Sequence, residues 1–336
     1  MSDDIAAVER VPADWPALIA ADPSASPSHR PELWTALADV SPGFSWRLLV
    51  LEERGATVAG APVIVRRRGP FTWLHALPWL LPAPPLALPG AHARADSAIA
   101  RAFGELARER RAVGGEWSLY RPEGPAPPEA ALAGAPGDTQ AFEAALLRLG
   151  DGLDTLLSRM SRKQRQAIDR SRDRGYAFAE EPGALEEAYA LHLAQSRRWR
   201  GHRPLPLELS RRLLAAGGEP LARLFTLRSR HGLISATLAL DGPHETFVWW
   251  SGTQPQGREG QAFALLLWSI AEWAAGRGRR RLNLGASTGL PHVAAFKHAL
   301  GAESFRYPVR WLDARSASWP GRTVAALQRA VRRARA

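Results

Sequence analysis

Apolar runs along the second half of the chain predict a β-rich core. Residues 224–228, 233–240 and 245–251 are rich in β-branched and aromatic side chains, and compact turns at 229–232 and 241–243 separate them. Short runs of this composition between turn signals are typical of an antiparallel meander. The pattern therefore predicts three consecutive strands.

A buried helix and two further strands follow. The glycine-bearing loop 252–260 leads to the apolar run 261–275, whose length and Ala, Leu and Trp content favour a helix over a strand. Residues 281–284 read as a fourth strand. A short segment ending at Lys297 precedes a fifth strand at 304–312.

The first third repeats this kind of pattern. Strands are predicted at 45–51, 57–65 and 116–120, with a helix at 96–112. The proline-rich stretch 78–89 is excluded as a central strand, because proline lacks the N–H that a sheet ladder needs. We therefore expect a second, degenerate copy of the same fold.

The middle of the chain is predicted as a linker followed by helices. Residues 121–139 are rich in proline and glycine with few apolar anchors, as in a linker. Helices are predicted at 151–173, 183–200 and 207–216, with a short strand at 176–180.

Length and composition limit the protein class. With 336 residues and 46% apolar content, one large or two medium globular domains are expected. No run of 18 apolar residues occurs, and the acidic N-terminus does not resemble a secretion signal. Since cysteine is absent, disulfides, thiolate metal sites and cysteine nucleophiles are excluded. These features favour a cytoplasmic protein.

The net charge of +11 adds little to the prediction of a cytoplasmic globular protein. Of the 44 basic residues, Lys163 and Lys297 are the two lysines and the other 42 are arginine, a bias typical of a GC-rich genome. We predict no DNA partner, although the charge could attract an anionic substrate or membrane. The basic tail 323–335 could lie on an anionic membrane, but a solvated terminal helix is favoured.

Two stretches of the predicted helices are candidates for substrate binding. Arg162, Lys163 and Arg165 lie on or beside one helical face and could clamp a phosphate or another polyanion. A solvated face in an arginine-rich protein explains them equally well. Trp199 and Arg200 stand where a helix ends and could form the wall of an acceptor pocket, or Trp199 could cap the core.

Short motifs occur in a characteristic order between residues 161 and 302. They are Ser161–Arg165 ahead of Arg174-Gly175, Trp249–Gly252, Gly257–Ala262, Leu282–Ser287 and Phe296–Ala302. Together with the order of strands and helices, they resemble the CelD/FemAB-like branch of the GNAT acyltransferase superfamily. The region from Gly60 to Trp79 is similar to the first half of FemAB-like proteins, including those associated with exopolysaccharide and PEP-CTERM systems.

The resemblance implies an α+β fold of tandem GNAT-like (acyl-CoA N-acyltransferase) domains, each a mixed, mostly antiparallel sheet flanked by helices. We predict a degenerate first domain at 1–125 and a linker at 126–140. The second domain is predicted at 141–315, followed by a basic helix at 316–336.

The resemblance also implies a function: transfer of an acyl group from acyl-CoA to an amine or hydroxyl of a small-molecule or glycan acceptor related to the cell envelope or to polysaccharide. No metal is required. The predicted donor contacts are Gly257, Arg258, Gly260, Gln261, Ala262, Asn283 and Ser287, and Trp250 is assigned to the substrate. One extra residue separates Gln256 from Gly260 relative to the usual signature, which leaves aminoacyl-tRNA open as the donor, although tRNA is not favoured.

Candidate catalytic residues are Lys297, Glu259 and His292, with Glu245 and His298 as other bases. Attack by an amine on a thioester needs a proton acceptor and donors for the oxyanion, and a lysine could polarise the carbonyl or contact a phosphate.

Two other classes of protein share features with this sequence. Gly285–Gly289 matches a nucleophile elbow, but no aspartate lies between Ser287 and the last histidine, so a serine hydrolase is excluded. A catalytically inactive GNAT-fold scaffold in exopolysaccharide assembly stays open.

Overall fold

The computed structural model describes most of the chain. The described residues are 5–76, 81–123, 127, 129–132, 134–135, 137–197, 204–215, 218–259, 261–287 and 290–312. The strands are β1 (Ile5–Val8), β2 (Phe44–Glu53), β3 (Ala56–Arg68), β4 (Phe71–His75), β5 (Leu86–Ala87), β6 (Gly114–Ser118), β7 (Asp138–Arg148), β8 (Ala177–Glu180), β9 (Ala222–Ser229), β10 (Gly232–Asp241), β11 (Glu245–Thr253), β12 (Arg281–Asn283) and β13 (Glu303–Leu312). The α-helices are α1 (Trp15–Ala21), α2 (Pro31–Val40), α3 (His92–Glu109), α4 (Leu153–Arg159), α5 (Arg162–Asp173), α6 (Leu185–Ser196), α7 (Leu207–Leu214), α8 (Pro255–Glu259), α9 (Ala262–Gly276) and α10 (Pro291–Ala299).

The chain divides into two compact units. Unit 1 comprises the described residues up to Phe142 together with residues 306–312, and unit 2 comprises those from Glu143 to Phe305. The sequence assigned residues 306–312 to the second domain. In the structure, Val309–Leu312 pair with β6 of unit 1, since the backbone of β6 needs a partner that local sequence does not specify.

Unit 1 is a mixed sheet with helices on it. Its strand order is β1-β2-β3-β4-β6-β13, and β5 pairs with β3. The meander β2-β3-β4 is antiparallel, β4 and β6 are parallel, and β6 and β13 are antiparallel. Because α3 connects β4 to the parallel strand β6, the unit contains one β-α-β crossover.

Tryptophan and alanine shape the core of unit 1. The alanine-rich α3 packs with Phe103 and Leu106 on the sheet, where the Phe103 ring lies 4.9 Å from that of the fully buried Trp117 at an interplanar angle of 37°. Trp15 and Trp34 are fully buried and meet edge to face at 5.9 Å. Their indole N–H groups donate to the carbonyls of His29 and Ser28, as buried indoles require.

Unit 2 repeats the same succession. Its strand order is β7-β12-β11-β10-β9-β8, with the antiparallel meander β9-β10-β11, the crossover helix α9 and the parallel strand β12. β7 lies antiparallel to β12, as β13 does to β6 in unit 1. The predicted α+β fold of two GNAT-like copies, each a mixed and mostly antiparallel sheet flanked by helices, is confirmed.

The apolar helix α9 forms the core of unit 2. Ten of its residues are buried, as the uninterrupted apolar run predicts for a helix covered on most sides. It packs with α5 and with Phe225 and Leu227 of β9. The run predicted as a helix at 261–275 therefore forms one, displaced by a single residue.

Three local predictions need correction. The helix predicted at 151–173 is two helices, because Ser161 accepts a hydrogen bond from the Gln164 N–H and caps a new helix, α5. Residues 138–148, partly assigned to the linker, form β7. Helix α3 begins at His92 rather than 96.

None of the helices in the described part of the chain has both the length and the apolar character needed to cross a bilayer. The predicted tail helix at 316–336 and residues 78–80 of the proline-rich stretch lie outside the described residues.

Candidate functional site

Strands β11 and β12 of unit 2 run side by side and then separate. They pair in parallel at three positions, Glu245–Arg281, Thr246–Leu282 and Phe247–Asn283. β12 ends there, whereas β11 continues to Thr253. We call the region between residues 248–253 and residues 284–287 the fork.

The fork opens because the chain after β12 follows β7 instead of β11. The Leu284 N–H donates to the Ala145 carbonyl at 2.8 Å, and the Ala145 N–H donates to the Gly285 carbonyl at 3.1 Å. β11 therefore runs beyond Phe247 without β12 beside it. Its backbone groups beyond Phe247 need other partners, and α6 supplies them for the Ser251 carbonyl and the Thr253 N–H.

A β-bulge marks the part of β11 that borders the fork. In the pairing with β10, Leu238 faces Trp250 while Ala239 faces Val248, so Trp249 is an extra residue. Bulges bend a strand and redirect the side chains beside it, and they are common next to active sites.

Helix α6 hydrogen-bonds to the end of β11. His192 donates from Nδ1 to the Ser251 carbonyl at 2.9 Å, and the Gln195 side-chain oxygen accepts from the Thr253 N–H at 2.8 Å. Gly252 allows this approach, since a Cβ there would lie 2.6 Å from the His192 nitrogen. Helix and strand are thus joined at backbone level.

Trp250 lies in an aromatic cluster. Its side chain is 7% exposed, its indole N–H donates to Ser210 Oγ at 3.3 Å, and its ring lies 5.1 Å from His192 and 5.9 Å from Tyr189. Burial raises the pKa of Tyr189. Trp250 of β11 is therefore packed against side chains of α6 and α7.

The segment before α9 holds the predicted donor-binding residues. Gly257 is buried, and a Cβ there would come within 2.7 Å of Ile234 Cγ2. Arg258 is exposed, Gln261 adopts the left-handed conformation (φ 56°), and Ala262 is the buried first residue of α9. Gly260 lies outside the described residues.

This segment suits an anion by position. Helix α9 begins nine residues after β11 ends, and a helix N-terminus carries free N–H groups and a partial positive charge. Arg258 adds a full charge on the exposed side of the segment. Glu259, the last residue of α8, precedes this helix start; its side chain is not described.

A buried polar cluster joins β11 and β12 where the two strands are still paired. Glu245, Arg281 and Asn283 are fully buried. Arg281 Nε donates to Glu245 Oε2 at 2.6 Å, and Asn283 Nδ2 donates to Glu245 Oε1 at 3.1 Å. Asn283 Oδ1 also accepts from the Gly285 N–H at 2.8 Å. Asn283, predicted to contact the donor, therefore joins β11, β12 and the segment beyond them.

Lys297 of α10 reaches the same segment. Its Nζ donates to the carbonyls of Gly285 and Ala286, both at 2.9 Å. Lys297 as a whole is 8% exposed. Burial lowers the pKa of Lys297 to about 8, opposed by the charge of Glu143. Gly285 in turn lies against Phe247, the last β11 residue paired with β12. Lys297 is thus bonded to the point where the strands part.

The other predicted bases have different surroundings. His292 is exposed on α10, and Glu245 is the buried ion-pair partner of Arg281. His298 Nδ1 donates to the Ala302 carbonyl at 3.0 Å. Ser287 is half-buried, and its carbonyl accepts from the Leu290 N–H. Lys297 therefore combines burial next to the fork with a pKa lowered to about 8.

The three residues of the predicted basic clamp, Arg162, Lys163 and Arg165, differ in their surroundings. Arg162 and Lys163 are exposed in the first turn of α5. Arg165 instead donates to the Leu157 and Met160 carbonyls, at 2.9 and 2.6 Å, at the end of α4. Trp199 and Arg200 lie outside the described residues.

Sequence reasoning did not select His192, Gln195 or Tyr189. His192 and Gln195 are three apart on α6, so they share a helix face, and this spacing is the one signal in the sequence. Within the described residues, no cluster of three or more His, Cys, Asp or Glu side chains could hold a metal ion.

Comparison with protein families identifies the part of the chain that contains the fork. The model of the acetyltransferase (GNAT) domain matches residues 157–298. This stretch of the chain is therefore similar to a GNAT domain. The match begins in α4 and ends in α10, so it includes β11, α9, β12 and Lys297.

Solved structures extend the fold over nearly the whole chain. FemX is similar with a TM-score of 0.68 at 11% identity, covering 90% of this chain and 96% of FemX. A tandem GNAT protein from the clavulanic acid biosynthesis pathway has a TM-score of 0.52 at 15% identity, covering 93% and 99%. The fold is thus that of tandem GNAT proteins, as predicted.

A third similar structure is the C-terminal domain of a putative lysylphosphatidylglycerol synthetase from Agrobacterium fabrum. Its TM-score is 0.55 at 15% identity, covering 86% of this chain and 88% of that domain. The sequence matches none of the curated proteins.

Proposed function

We propose that this GNAT domain transfers an acyl group from acyl-CoA to an amine or hydroxyl of an acceptor related to the cell envelope or to polysaccharide. The observation that carries the proposal is the fork, where β11 extends six residues beyond its last pairing with β12. An extended arm with amide groups, such as the pantetheine of coenzyme A, can hydrogen-bond to a strand edge of this kind.

The charges beside the fork support an anionic donor. The start of α9 offers N–H groups and a helix dipole to a pyrophosphate, and Arg258 is exposed next to it. The net charge of +11 favours the approach of a polyanion.

The transfer step requires loss of a proton from the acceptor. The acceptor nitrogen or oxygen attacks the thioester carbonyl carbon and loses a proton. The carbon–sulfur bond then breaks, and the departing thiolate takes up a proton and leaves as the free thiol of coenzyme A. We assign the proton-accepting role to Lys297. A neutral lysine has two N–H groups, which the Gly285 and Ala286 carbonyls can take, and one lone pair left for the acceptor proton.

A second donor is supported by a specific surface. Arg162, Lys163, Arg170 and Arg174 are exposed on or at the end of α5 and have no ion-pair partner among the described residues. A basic face of this kind suits the phosphates of aminoacyl-tRNA. The FemAB-like fold fits such a donor as well, so an aminoacyl-tRNA-dependent peptidyltransferase is our alternative.

Thermal-shift titration tests the proposal with acetyl-CoA, longer acyl-CoAs and charged tRNA as separate probes. A ligand at a hundred-fold excess over its Kd stabilises the folded state by about 2.7 kcal/mol, so binding raises the melting temperature. The protein, Lys297→Met and the matched control Lys163→Met are compared, since these are the two lysines of the chain.

Stabilisation by an acyl-CoA in all three proteins, with turnover lost in Lys297→Met alone, supports acyl transfer and the proposed base. Stabilisation by charged tRNA alone moves the assignment to peptidyl transfer. If no probe changes the melting temperature, a catalytically inactive scaffold becomes the better account.

A further inference from the structure

A second surface of interest lies in unit 1, at one end of its meander. There Phe44 of β2, Arg66 of β3 and Trp73 of β4 stand directly opposite one another across three strands. Residues directly opposite in a sheet point to the same face and contact each other. The strand ends therefore present a cation between two aromatic rings.

The ring contacts organise this row. The Arg66 guanidinium carbon lies 5.6 Å from the Phe44 ring centroid and 5.9 Å from that of Trp73. The ring centroid of Phe71 lies 6.2 Å from that of Trp73. Both Phe71 and Trp73 are half-buried, so part of each ring surface faces solvent.

Two more arginines extend the row into the turn. Arg67 and Arg68 are exposed and end β3, and the exposed Gly69-Pro70 turn joins them to Phe71. Within the described residues, no carboxylate pairs with Arg66, Arg67 or Arg68. We call Phe44, Arg66, Arg67, Arg68, Phe71 and Trp73 the basic-aromatic tip.

The backbone of the tip is held in place. The Arg67 N–H donates to the Gly43 carbonyl at 2.7 Å, and Gly43 has a φ of 82°. A Cβ at position 43 would lie 2.4 Å from the Arg67 carbonyl oxygen, so only glycine allows this approach. The backbone that carries the three positive charges is therefore held in place before binding.

We propose that the basic-aromatic tip docks the protein on the surface of an anionic phospholipid membrane. Arginines near such a surface gain about 1 kcal/mol each from its negative potential, and aromatic rings favour the headgroup layer. The exposed Pro70 and the half-buried Phe71 can contact that layer while the arginines stay among the phosphates.

The arrangement of the rings favours lipid over single-stranded RNA. Base stacking needs open aromatic faces, whereas the faces of Phe44 and Trp73 are engaged by Arg66. The tip belongs to unit 1, so the proposal does not depend on the transfer activity of the GNAT domain.

Vesicle co-sedimentation tests the proposal. The full chain is mixed with vesicles of neutral phosphatidylcholine or with vesicles that also contain about 30 mol% phosphatidylglycerol, an anionic lipid whose surface potential attracts arginine. We expect binding to the anionic vesicles alone. Arg67→Gln with Arg68→Gln should weaken the partition coefficient about thirty-fold, because two charges leave the surface.

A matched control removes the effect of net charge. Arg162→Gln with Lys163→Gln takes away two exposed charges from unit 2 and should leave vesicle binding within about two-fold of the original. Phe71→Ser should weaken binding several-fold through the loss of apolar area. Circular dichroism melts verify that each variant is folded.

Three results overturn the proposal. In the first, both double variants weaken vesicle binding equally. In the second, Arg67→Gln/Arg68→Gln binds vesicles as well as the original protein. In the third, the original protein binds RNA but not vesicles, and Arg67→Gln/Arg68→Gln loses the RNA binding. The first means that bulk charge drives binding, the second that another surface docks, and the third that the tip binds RNA.

Discussion

Lys297 and Gly285 are joined by a 2.9 Å hydrogen bond from Nζ to the carbonyl oxygen, and this oxygen also accepts from the Ala145 N–H. One carbonyl therefore links α10, the segment after β12 and β7. Because that segment follows β7, it leaves β11 and opens the fork. The lysine that we assign to proton transfer also stabilises the shape of the site.

The stability of the protein should depend on pH through Lys297. The folded-state pKa is about 8 and the ordinary value is 10.5, so between pH 8 and 10 the unfolded state binds more protons. The free energy of unfolding should therefore rise with pH in this window, by about 2 kcal/mol relative to Lys297→Met. Urea denaturation of both proteins at pH 8, 9 and 10 measures the difference. Parallel pH profiles for the two proteins would contradict the buried, shifted amine.

Gly252→Ala should separate α6 from β11. The new methyl would overlap the His192 backbone, so the bonds to Ser251 and Thr253 would lengthen or break. We expect a loss of about 1–3 kcal/mol, measured by chemical denaturation. Gly183→Ala is the control, since nothing lies within 4 Å of a Cβ there. Equal stability of the two variants would mean that helix and strand are not in close contact.

The Glu245–Arg281 pair should behave as a buried ion pair. Arg281→Met leaves a buried carboxylate without its partner and should cost about 3–5 kcal/mol, and Glu245→Leu should be similarly destabilising. The double variant should recover much of this loss, because no charge is then left uncompensated. A double-mutant cycle from denaturation curves gives the coupling energy. Additive losses would show that the two side chains act independently.

Substitution of Arg165 should lower the stability of the fold, whereas substitution of Arg162 and Lys163 should not. Arg165→Met removes the donor that satisfies two carbonyls at the end of α4 and should destabilise the fold by about 1–3 kcal/mol. Arg162→Gln with Lys163→Gln changes exposed side chains and should stay within about 0.5 kcal/mol. Differential scanning calorimetry compares them. A stable Arg165→Met variant that loses ligand binding would return Arg165 to the predicted clamp.

Local patterns predicted the elements whose composition is uniform. β9, β10 and β11 were predicted within two residues at each end, because β-branched runs between tight turns have few other conformations. The boundary at Ser161 was missed, although Ser161 and Gln164 have the spacing of a capping box. β7 was missed because its first residues read as linker, and its pairing partner β12 lies far along the chain.

The sequence indicated Lys297 through its rarity in an arginine-rich chain, and it indicated Asn283 and Trp250 through their motifs. The structure gives them unlike surroundings. Lys297 and Asn283 bond to the segment beyond β12, and Trp250 packs against α6. His192 and Gln195 carry no distinctive motif, so their contact with β11 emerged only from packing.

By itself, the sequence determined the GNAT-like succession of strands and helices, since periodicity, turns and apolar runs are set by neighbouring residues. Only the tertiary structure decided where the strands part, which residues of β13 complete unit 1, and which polar groups meet at the fork. The first two features depend on backbone hydrogen bonds between segments more than a hundred residues apart, such as Leu284 to Ala145. A backbone N–H or carbonyl is the same in nearly every residue, so the sequence does not record which partner it finds.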